Sequence, residues 1–362
     1  MKLHHVLCIH GIGQHSNDWL TTTEREGDES VSDQFFNLLK GYPALRSVDP
    51  DSVKLHAIHY DDEILKLFGD WAEQAKALKD GLATSPVLMD EAAHFTKIVD
   101  DASDDRKNDE FRFTHLMDLL LFVGSPSIQD RLVAYVGRQI MDLIAAHPEH
   151  DYSLIGHSMG TAMAHKVIQA MYNEGVPDDN GVRQTLRANF RFQCVAMVAN
   201  AGYALSRDRD EYYRESIVRP SATIGTGCCF AWINVNHRLD PVGTFMPFDP
   251  HKDPHWLDPQ VELMGLHRDI KLSRISQSGI HALSHYLRDP SFHIPLFEFM
   301  FGEDFNQEQC DDAVKKFESD TPEGQFKSLR SHLDTLDVSK TASFAAFYHS
   351  VKSFRDVIRH FR

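Results

Sequence analysis

The chain has 362 residues, of which 42% are hydrophobic, and a formal net charge of −16 at pH 7. Its basic residues are scattered and form no stripe interleaved with aromatic side chains, so we expect no nucleic-acid partner. The strongest apolar run, LMDLLLFV at 116–123, is too short for a transmembrane segment and contains Asp118. The first residues lack the apolar core and cleavage site of a secretory signal, and we therefore expect a cytoplasmic protein.

The first part of the chain alternates between strand and helix patterns. Residues 3–11 (LHHVLCIHG) form a short run of apolar and β-forming residues that ends at a glycine, which is typical of a buried strand. A helical pattern follows at 32–40, and a second strand pattern follows at 53–60. Residues 128–147 place apolar side chains on one face of a helix, which Pro148 ends. The segment YSLI then begins a third predicted strand.

The same alternation continues after the third strand. A helical pattern covers 161–173, and buried-strand patterns cover 192–202 and 228–237. A weaker strand pattern covers 269–276. Strands separated by helices predict a mostly parallel central sheet with helices on both faces, so the expected fold class is α/β.

Three segments fall outside this alternation, of which 203–226 is a short polar excursion. Residues 61–127 form a long interval between elements, and an insertion of this length predicts a helical cap over one end of the sheet. Residues 303–362 contain only helical patterns, and the apolar stripe of the last helix predicts packing on the same body. A homodimer formed through these C-terminal helices is the alternative interpretation of the stripe. We therefore expect a main domain at 1–302 with a C-terminal helical extension.

The sequence GHSMG at 156–160 lies between the third predicted strand and the helix that follows it. A G-x-S-x-G match is weak evidence by itself, but a strand-to-helix turn is the context in which such a serine forms a nucleophile elbow. Gly156 and Gly160 leave room where the strand and the helix approach closely. Ser158 is therefore the candidate nucleophile, and it requires a histidine base and a carboxylate that orients the base.

The candidate carboxylate is Asp240, in the loop LDPVG after the strand pattern at 228–237. A carboxylate in this loop can reach a histidine at the same edge of the sheet, although an Asp-Pro pair is also ordinary turn chemistry. Later loops contain three competing candidates, namely Asp249, Asp253 and Asp258.

Two histidines in the segment IHALSHYL are candidates for the base. His281 lies at the boundary between the last predicted strand and a helix, whereas His285 is one helical turn further on, so we expect His281 to be the base, with His285 as the alternative. This pair could also hold a metal ion on one helix face, as could His251, Asp253 and His255. No further ligand stands at a recognised spacing from either group, and we therefore expect no metal site and no cofactor.

The turn HGIG at 10–13 follows the first predicted strand. Backbone N–H groups suit an oxyanion because they have no rotamer freedom. Met159, directly after the candidate nucleophile, provides one such donor, and Gly11 or Ile12 in the turn provides the other. The turn matches neither the P-loop nor the G-x-G-x-x-G pattern, so a phosphate-binding loop is not favoured.

The segments HGIG, GHSMG, LDPVG with Asp240 and IHALSHYL with His281 resemble the α/β-hydrolase superfamily, in particular its lipase- and esterase-like members, in the chain order Ser, Asp, His. The resemblance covers residues 1–295. It implies an α/β-hydrolase fold with a helical cap and hydrolysis of a small-molecule or lipid-like ester through an acyl-enzyme. Thioester hydrolysis, amide hydrolysis and acyl transfer use the same triad, and a non-catalytic binding protein of this fold is the alternative from another class.

Overall fold

The computed structural model describes residues 2–11, 18–23, 29–67, 69–70, 73, 122, 124–178, 180–206, 211–214, 216–253, 256–276, 279–334, 349 and 351–352. Most of the predicted cap at 61–127 lies outside the described residues, and so does most of the last predicted helix. The cap and the homodimer hypothesis therefore stay predictions.

Six strands form a central sheet in which every neighbouring pair is parallel. In chain order the strands of the described residues are β1 (His4–Ile9), β2 (Val53–Ile58), β3 (Asp151–His157), β4 (Val176–Pro177), β5 (Arg183–Gln184), β6 (Phe192–Val198), β7 (Cys229–His237) and β8 (His267–Leu272). The order across the sheet is β2-β1-β3-β6-β7-β8, while β4 and β5 form a separate antiparallel pair. The predicted mostly parallel sheet is confirmed.

Helices connect and cover these strands. Those whose bounds the described residues define are α1 (Val31–Gly41), α2 (Pro126–Ala146), α3 (Met159–Gln169), α4 (Glu211–Arg214), α5 (Pro241–Phe245), α6 (Pro259–Leu263), α7 (Leu283–Arg288), α8 (Pro290–Phe301), α9 (Gln307–Asp320) and α10 (Pro322–Asp334). Polar side chains begin several of them: Ser30 accepts a hydrogen bond from the Asp33 amide at the start of α1, and Asp289 accepts one from the Ser291 amide at the start of α8. Such caps satisfy amides that have no acceptor within the helix.

Alternate residues of the strands face two separate hydrophobic cores. Leu7 and Leu154 belong to the core that the sheet shares with α2 and α3. Val6 and Ile155, each adjacent in the chain to one of these, belong to the core shared with α1, α7 and α8 on the other face. Because both faces are covered, the inner strands β1, β3, β6 and β7 are mostly apolar rather than an alternation of apolar and polar residues.

The last strand ends earlier than the sequence predicts, and the helix after β3 changes from α-helical to π-helical geometry before its end. The strand predicted at 269–276 is observed as β8, and its register with β7 ends where His237 pairs with Leu272. Because β8 is the edge strand of the sheet, its end is set by the end of β7. The helix predicted at 161–173 is α3, which ends at Gln169 and continues as a π-helical turn over Ala170–Glu174.

The beginning of the C-terminal segment contacts the main body. Helix α9 packs against α8 and buries Phe317. The Arg274 guanidinium lies 2.9 Å from Glu318 Oε1, and the Ser47 hydroxyl donates a hydrogen bond of 2.6 Å to Glu303. Among the helices that the structure describes, none is both long enough and apolar enough to cross a bilayer.

Candidate active site

The candidate site lies at the carboxyl edge of the sheet, where the strand order reverses. Strand β1 lies between β2 and β3. The helix after β1 covers one face of the sheet and the helix after β3 covers the other. Open α/β sheets have a crevice at such a point. Gly11 lies just after β1 and Ser158 directly follows β3, while Asp240 and His281 lie beyond the ends of β7 and β8.

Ser158 has a backbone conformation that few residues other than glycine adopt. Its φ is 57° and its ψ is −128°, and a residue held there is strained by roughly 1–3 kcal/mol. Its amide donates a hydrogen bond of 2.9 Å to the Val198 carbonyl. Its carbonyl accepts one from the Thr161 amide at 2.9 Å and one from the Thr161 hydroxyl at 2.6 Å. These three bonds hold the sharp turn between β3 and α3.

The two glycines of GHSMG allow α3 to pack directly on β1. A Cβ atom built on Gly160 would lie 2.3 Å from the carbonyl oxygen of His10 and 2.4 Å from that of Ile9. A Cβ atom on Gly156 would lie 3.1 Å from the carbonyl oxygen of Gly160. These neighbours are backbone atoms of packed elements, so a side chain at position 160 would force the helix away from the strand.

Ser158, His281 and Asp240 form a hydrogen-bonded chain. Nε2 of His281 is 2.9 Å from Oγ of Ser158, and Nδ1 of His281 is 2.7 Å from Oδ2 of Asp240. An ionised carboxylate only accepts hydrogen bonds, so the proton of neutral His281 is on Nδ1 and Nε2 accepts from the Ser158 hydroxyl. The His281 side chain is 41% exposed and that of Asp240 is 0% exposed, so the imidazole is accessible whereas the carboxylate is shielded.

Asp240 is held as a carboxylate by three hydrogen bonds. Oδ2 accepts from His281 and, at 2.7 Å, from the Tyr286 hydroxyl, while Oδ1 accepts from the Val242 amide at 2.9 Å. Burial by itself raises the pKa of Asp240. The hydrogen bonds and the attraction of His281 outweigh that effect, and the net pKa is below the ordinary value. Asp240 is therefore ionised at neutral pH.

His285, the alternative base, has different surroundings. It is buried, and its Nδ1 lies 2.9 Å from the Ser276 hydroxyl. Its ring meets that of His237 edge-on at a centroid distance of 5.0 Å. Burial, followed by repulsion from His237 and Arg288, lowers the pKa of His285 to about 4. His281 thus contacts Ser158, whereas the ring of His285 packs against Ser276 and His237.

Two of the three competing loop carboxylates stabilise turns. Asp258 begins α6 and accepts a hydrogen bond of 2.8 Å from the Gln260 amide. Asp249 accepts one of 3.0 Å from the His251 amide. His255, part of the metal-binding group considered from the sequence, lies outside the described residues.

Two of the three predicted oxyanion donors are described. Met159 is the first residue of α3, and the first amides of a helix have no acceptor within it. Gly11 lies against Ser158, because a Cβ atom built on Gly11 would be 2.7 Å from Cβ of Ser158 and 3.2 Å from its Oγ. Ile12 lies outside the described residues.

A buried cluster anchors the carbonyl of Gly11. The Tyr60 hydroxyl donates a hydrogen bond of 2.8 Å to this carbonyl, and Nδ1 of His10 lies 2.8 Å from it. The rings of His10 and Tyr60 are stacked at a centroid distance of 4.4 Å. On its other side, Nε2 of His10 is 3.3 Å from the buried carboxylate of Asp61. The start of the turn after β1 is thus held beside Ser158.

The sequence reasoning did not identify three residues that support this arrangement. Tyr286 donates to Asp240, Thr161 binds the Ser158 carbonyl twice, and Tyr60 anchors Gly11. Only Thr161 had a local signal, since it lies one residue beyond the motif GHSMG in the first turn of the helix. The other two come from distant parts of the chain.

No protein-family model matches the chain, and a search of curated proteins found no match.

Proposed function

We propose that the chain is a serine hydrolase that cleaves carboxylic esters through an acyl-enzyme on Ser158. The observation that carries this proposal is the position of His281, whose two ring nitrogens are 2.9 Å from the Ser158 hydroxyl and 2.7 Å from the Asp240 carboxylate. A serine hydroxyl is a poor nucleophile near neutral pH, and an adjacent oriented histidine is the means by which proteins activate it.

The reaction proceeds in two halves. His281 Nε2 takes the proton of Ser158 as Oγ forms a bond to the ester carbonyl carbon, and the Met159 amide with Gly11 or Ile12 binds the resulting oxyanion. The intermediate collapses, the ester bond breaks, and His281 returns the proton to the leaving alcohol. Water then attacks the acyl-enzyme with His281 again as base, which releases the acid and restores Ser158. Asp240 stays ionised throughout and stabilises the charged imidazole.

We also propose that the fold is that of the α/β-hydrolase superfamily. The sharp β3-to-α3 turn with a strained serine supports this assignment, as does the chain order Ser, Asp, His. The position of Ser158 next to the turn after β1, which supplies the second oxyanion donor in that superfamily, supports it further. A small-molecule or lipid-like ester is the substrate class expected for such a protein.

The first experiment uses a serine-directed fluorophosphonate probe and p-nitrophenyl butyrate. We expect the wild-type chain to be labelled on Ser158 and to hydrolyse the ester. Ser158→Ala should abolish labelling and lower kcat by about 10⁴–10⁶-fold, because the nucleophile is lost while the fold stays intact. Ser127→Ala, at an exposed serine at the start of α2, is the matched control and should keep both properties.

The outcomes separate the candidate functions. Ester hydrolysis that persists in folded Ser158→Ala contradicts the assignment of the nucleophile. Labelling of Ser158 without hydrolysis of any p-nitrophenyl ester, from acetate to palmitate, favours thioester or amide hydrolysis or acyl transfer on the same triad. A folded wild-type chain that shows neither labelling nor hydrolysis favours a non-catalytic binding protein.

A further inference from the structure

A second group of chemically active side chains lies away from the candidate active site. His5 is near the amino end of β1, His56 is on β2, and the turn after α2 contributes His147, Glu149 and His150. We call these five residues the His/Glu cluster. The cluster is near the amino ends of β1 and β3, whereas the candidate active site is at their carboxyl ends.

Three residues of the cluster have the arrangement of metal ligands. One ligand atom from each of His147, Glu149 and His150 lies within 4.8 Å of the other two, and His150 Nε2 is 3.2 Å from Glu149 Oε1. Zinc bonds of about 2.0–2.1 Å at tetrahedral angles place neighbouring ligand atoms about 3.4 Å apart. The ligand atoms lie up to 4.8 Å apart and must approach to about 3.4 Å. His147 and Glu149 are exposed, so small rotations of their side chains bring the atoms to that distance.

His5 and His56 orient the ring of His150 through hydrogen bonds. His150 Nδ1 is 2.8 Å from His5 Nε2, and His5 Nδ1 is 2.8 Å from His56 Nε2. If His150 binds a cation through Nε2, its Nδ1–H donates to His5, which in turn donates to His56. Metal-binding histidines ordinarily donate their second ring N–H to such an acceptor, which sets the tautomer and the ring orientation.

Packing holds the His5 ring in place. His5 is buried, and the centroid of its ring lies 4.9 Å from that of His56, 5.1 Å from that of His150 and 4.9 Å from that of Tyr152. Because both ring nitrogens of His5 are hydrogen-bonded to neighbouring histidines, the three rings form a fixed row that ends at His150.

We propose that His147, Glu149 and His150 bind a divalent transition-metal ion, with Zn²⁺ as the best fit, and that His5 and His56 position His150. Two imidazoles and one carboxylate suit zinc better than Ca²⁺ or Mg²⁺, which prefer oxygen ligands alone. The fourth position faces solvent and takes a water molecule. The bound ion cross-links the turn after α2, which the hydrogen bonds from His150 to His5 and from His5 to His56 join to β1 and β2, and so stabilises the folded chain.

The test is calorimetric titration of the untagged, chelator-treated chain with zinc chloride. We expect one tight equivalent per wild-type chain and a zinc-dependent rise in the unfolding midpoint. The double variant His147→Ala, His150→Ala should lose both effects, and Glu149→Gln should weaken binding. His349→Ala removes an exposed histidine that belongs to no candidate metal-binding group and is the matched control, which should bind zinc as the wild type does.

A further variant tests the positioning role. His5→Gln should weaken zinc binding about 10–100-fold, because the acceptor for His150 is altered while the three ligands stay in place. The proposal is overturned if the wild type and the folded double variant bind zinc equally, or if neither binds it. Zinc binding is measured without a substrate, so its outcome is independent of whether Ser158 is a catalytic nucleophile.

Discussion

At the residue scale, two histidines one helical turn apart differ in what surrounds them. The ring of His281 lies between a hydroxyl and a carboxylate, and its side chain is 41% exposed. The ring of His285 is buried beside Ser276 and His237. A general base must reach both the nucleophile and the substrate, and only the first histidine has this position.

We therefore expect His281→Gln and His285→Gln to separate activity from stability. His281→Gln should lower kcat/KM for p-nitrophenyl butyrate by about 10⁴-fold or more, because the base is lost, with little change in the unfolding midpoint. His285→Gln should keep the rate within about tenfold and lower the midpoint, since its ring is packed in the core. Steady-state kinetics and thermal unfolding of both variants check this. A folded His285→Gln chain that loses as much activity as His281→Gln would contradict the assignment.

At the element scale, the site depends on how closely α3 approaches β1. The amide of Ser158 is bonded to the end of β6, its carbonyl is bonded to the first turn of α3, and Gly160 touches the end of β1. Three elements thus hold one strained residue. The strain persists because the surrounding hydrogen bonds and packing leave the turn no alternative conformation.

Gly160→Ala should disrupt this packing. The added Cβ atom would lie 2.3–2.4 Å from backbone oxygens of His10 and Ile9, which cannot move without shifting β1. We expect a loss of about 3 kcal/mol or more in the free energy of unfolding, or failure to fold. Gly41→Ala, at the end of α1, is the control, because a Cβ atom there meets nothing within 4 Å. Thermal and urea unfolding measure the difference, and equal stability of the two variants would refute the packing argument.

At the scale of the whole molecule, several elements bury histidines that stay neutral. Burial is the largest cause in each case: it lowers the pKa of His165 in α3 to about 3, and that of His267 in β8, His285 in α7 and His293 in α8 to about 4. In the unfolded chain these histidines have pKa values near 6.5. Between pH 6.5 and 4 the unfolded chain thus binds more protons than the folded one.

Stability should therefore fall as the pH drops below 6.5. Each such histidine contributes up to about 1.4 kcal/mol per pH unit to the slope of the unfolding free energy against pH. The slope is positive, so stability rises with pH, because the unfolded state is the one that takes up the proton. Unfolding free energies measured from pH 7 to pH 5 check this. His285→Gln should make the slope shallower, whereas Ser127→Ala, which removes an exposed side chain that does not titrate, should leave it unchanged. A slope that is identical in all three chains would contradict the prediction.

Local sequence patterns were sufficient to predict the parallel sheet and the sharp turn at Ser158. The strand and helix patterns predicted the parallel sheet, since a strand covered on both faces carries mostly apolar residues in a nearly continuous run. GHSMG placed Ser158 in a sharp turn because strand, turn and helix are contiguous in the chain. The ends of elements were less predictable: β8 stops at Leu272 because β7 stops at His237, and no feature of residues 269–276 encodes that pairing.

The sequence by itself thus determined the α/β class, the position of Ser158 and the candidates Asp240 and His281. Each of these depends on side-chain periodicity or on the order of residues along the chain. Only the tertiary structure decided which histidine reaches the serine and which residues support the site. It also assembled the His/Glu cluster from β1, β2 and the turn after α2. Hydrogen bonds and ligand geometry depend on distances of a few ångströms between residues far apart in the chain, and spacing in sequence does not specify those distances.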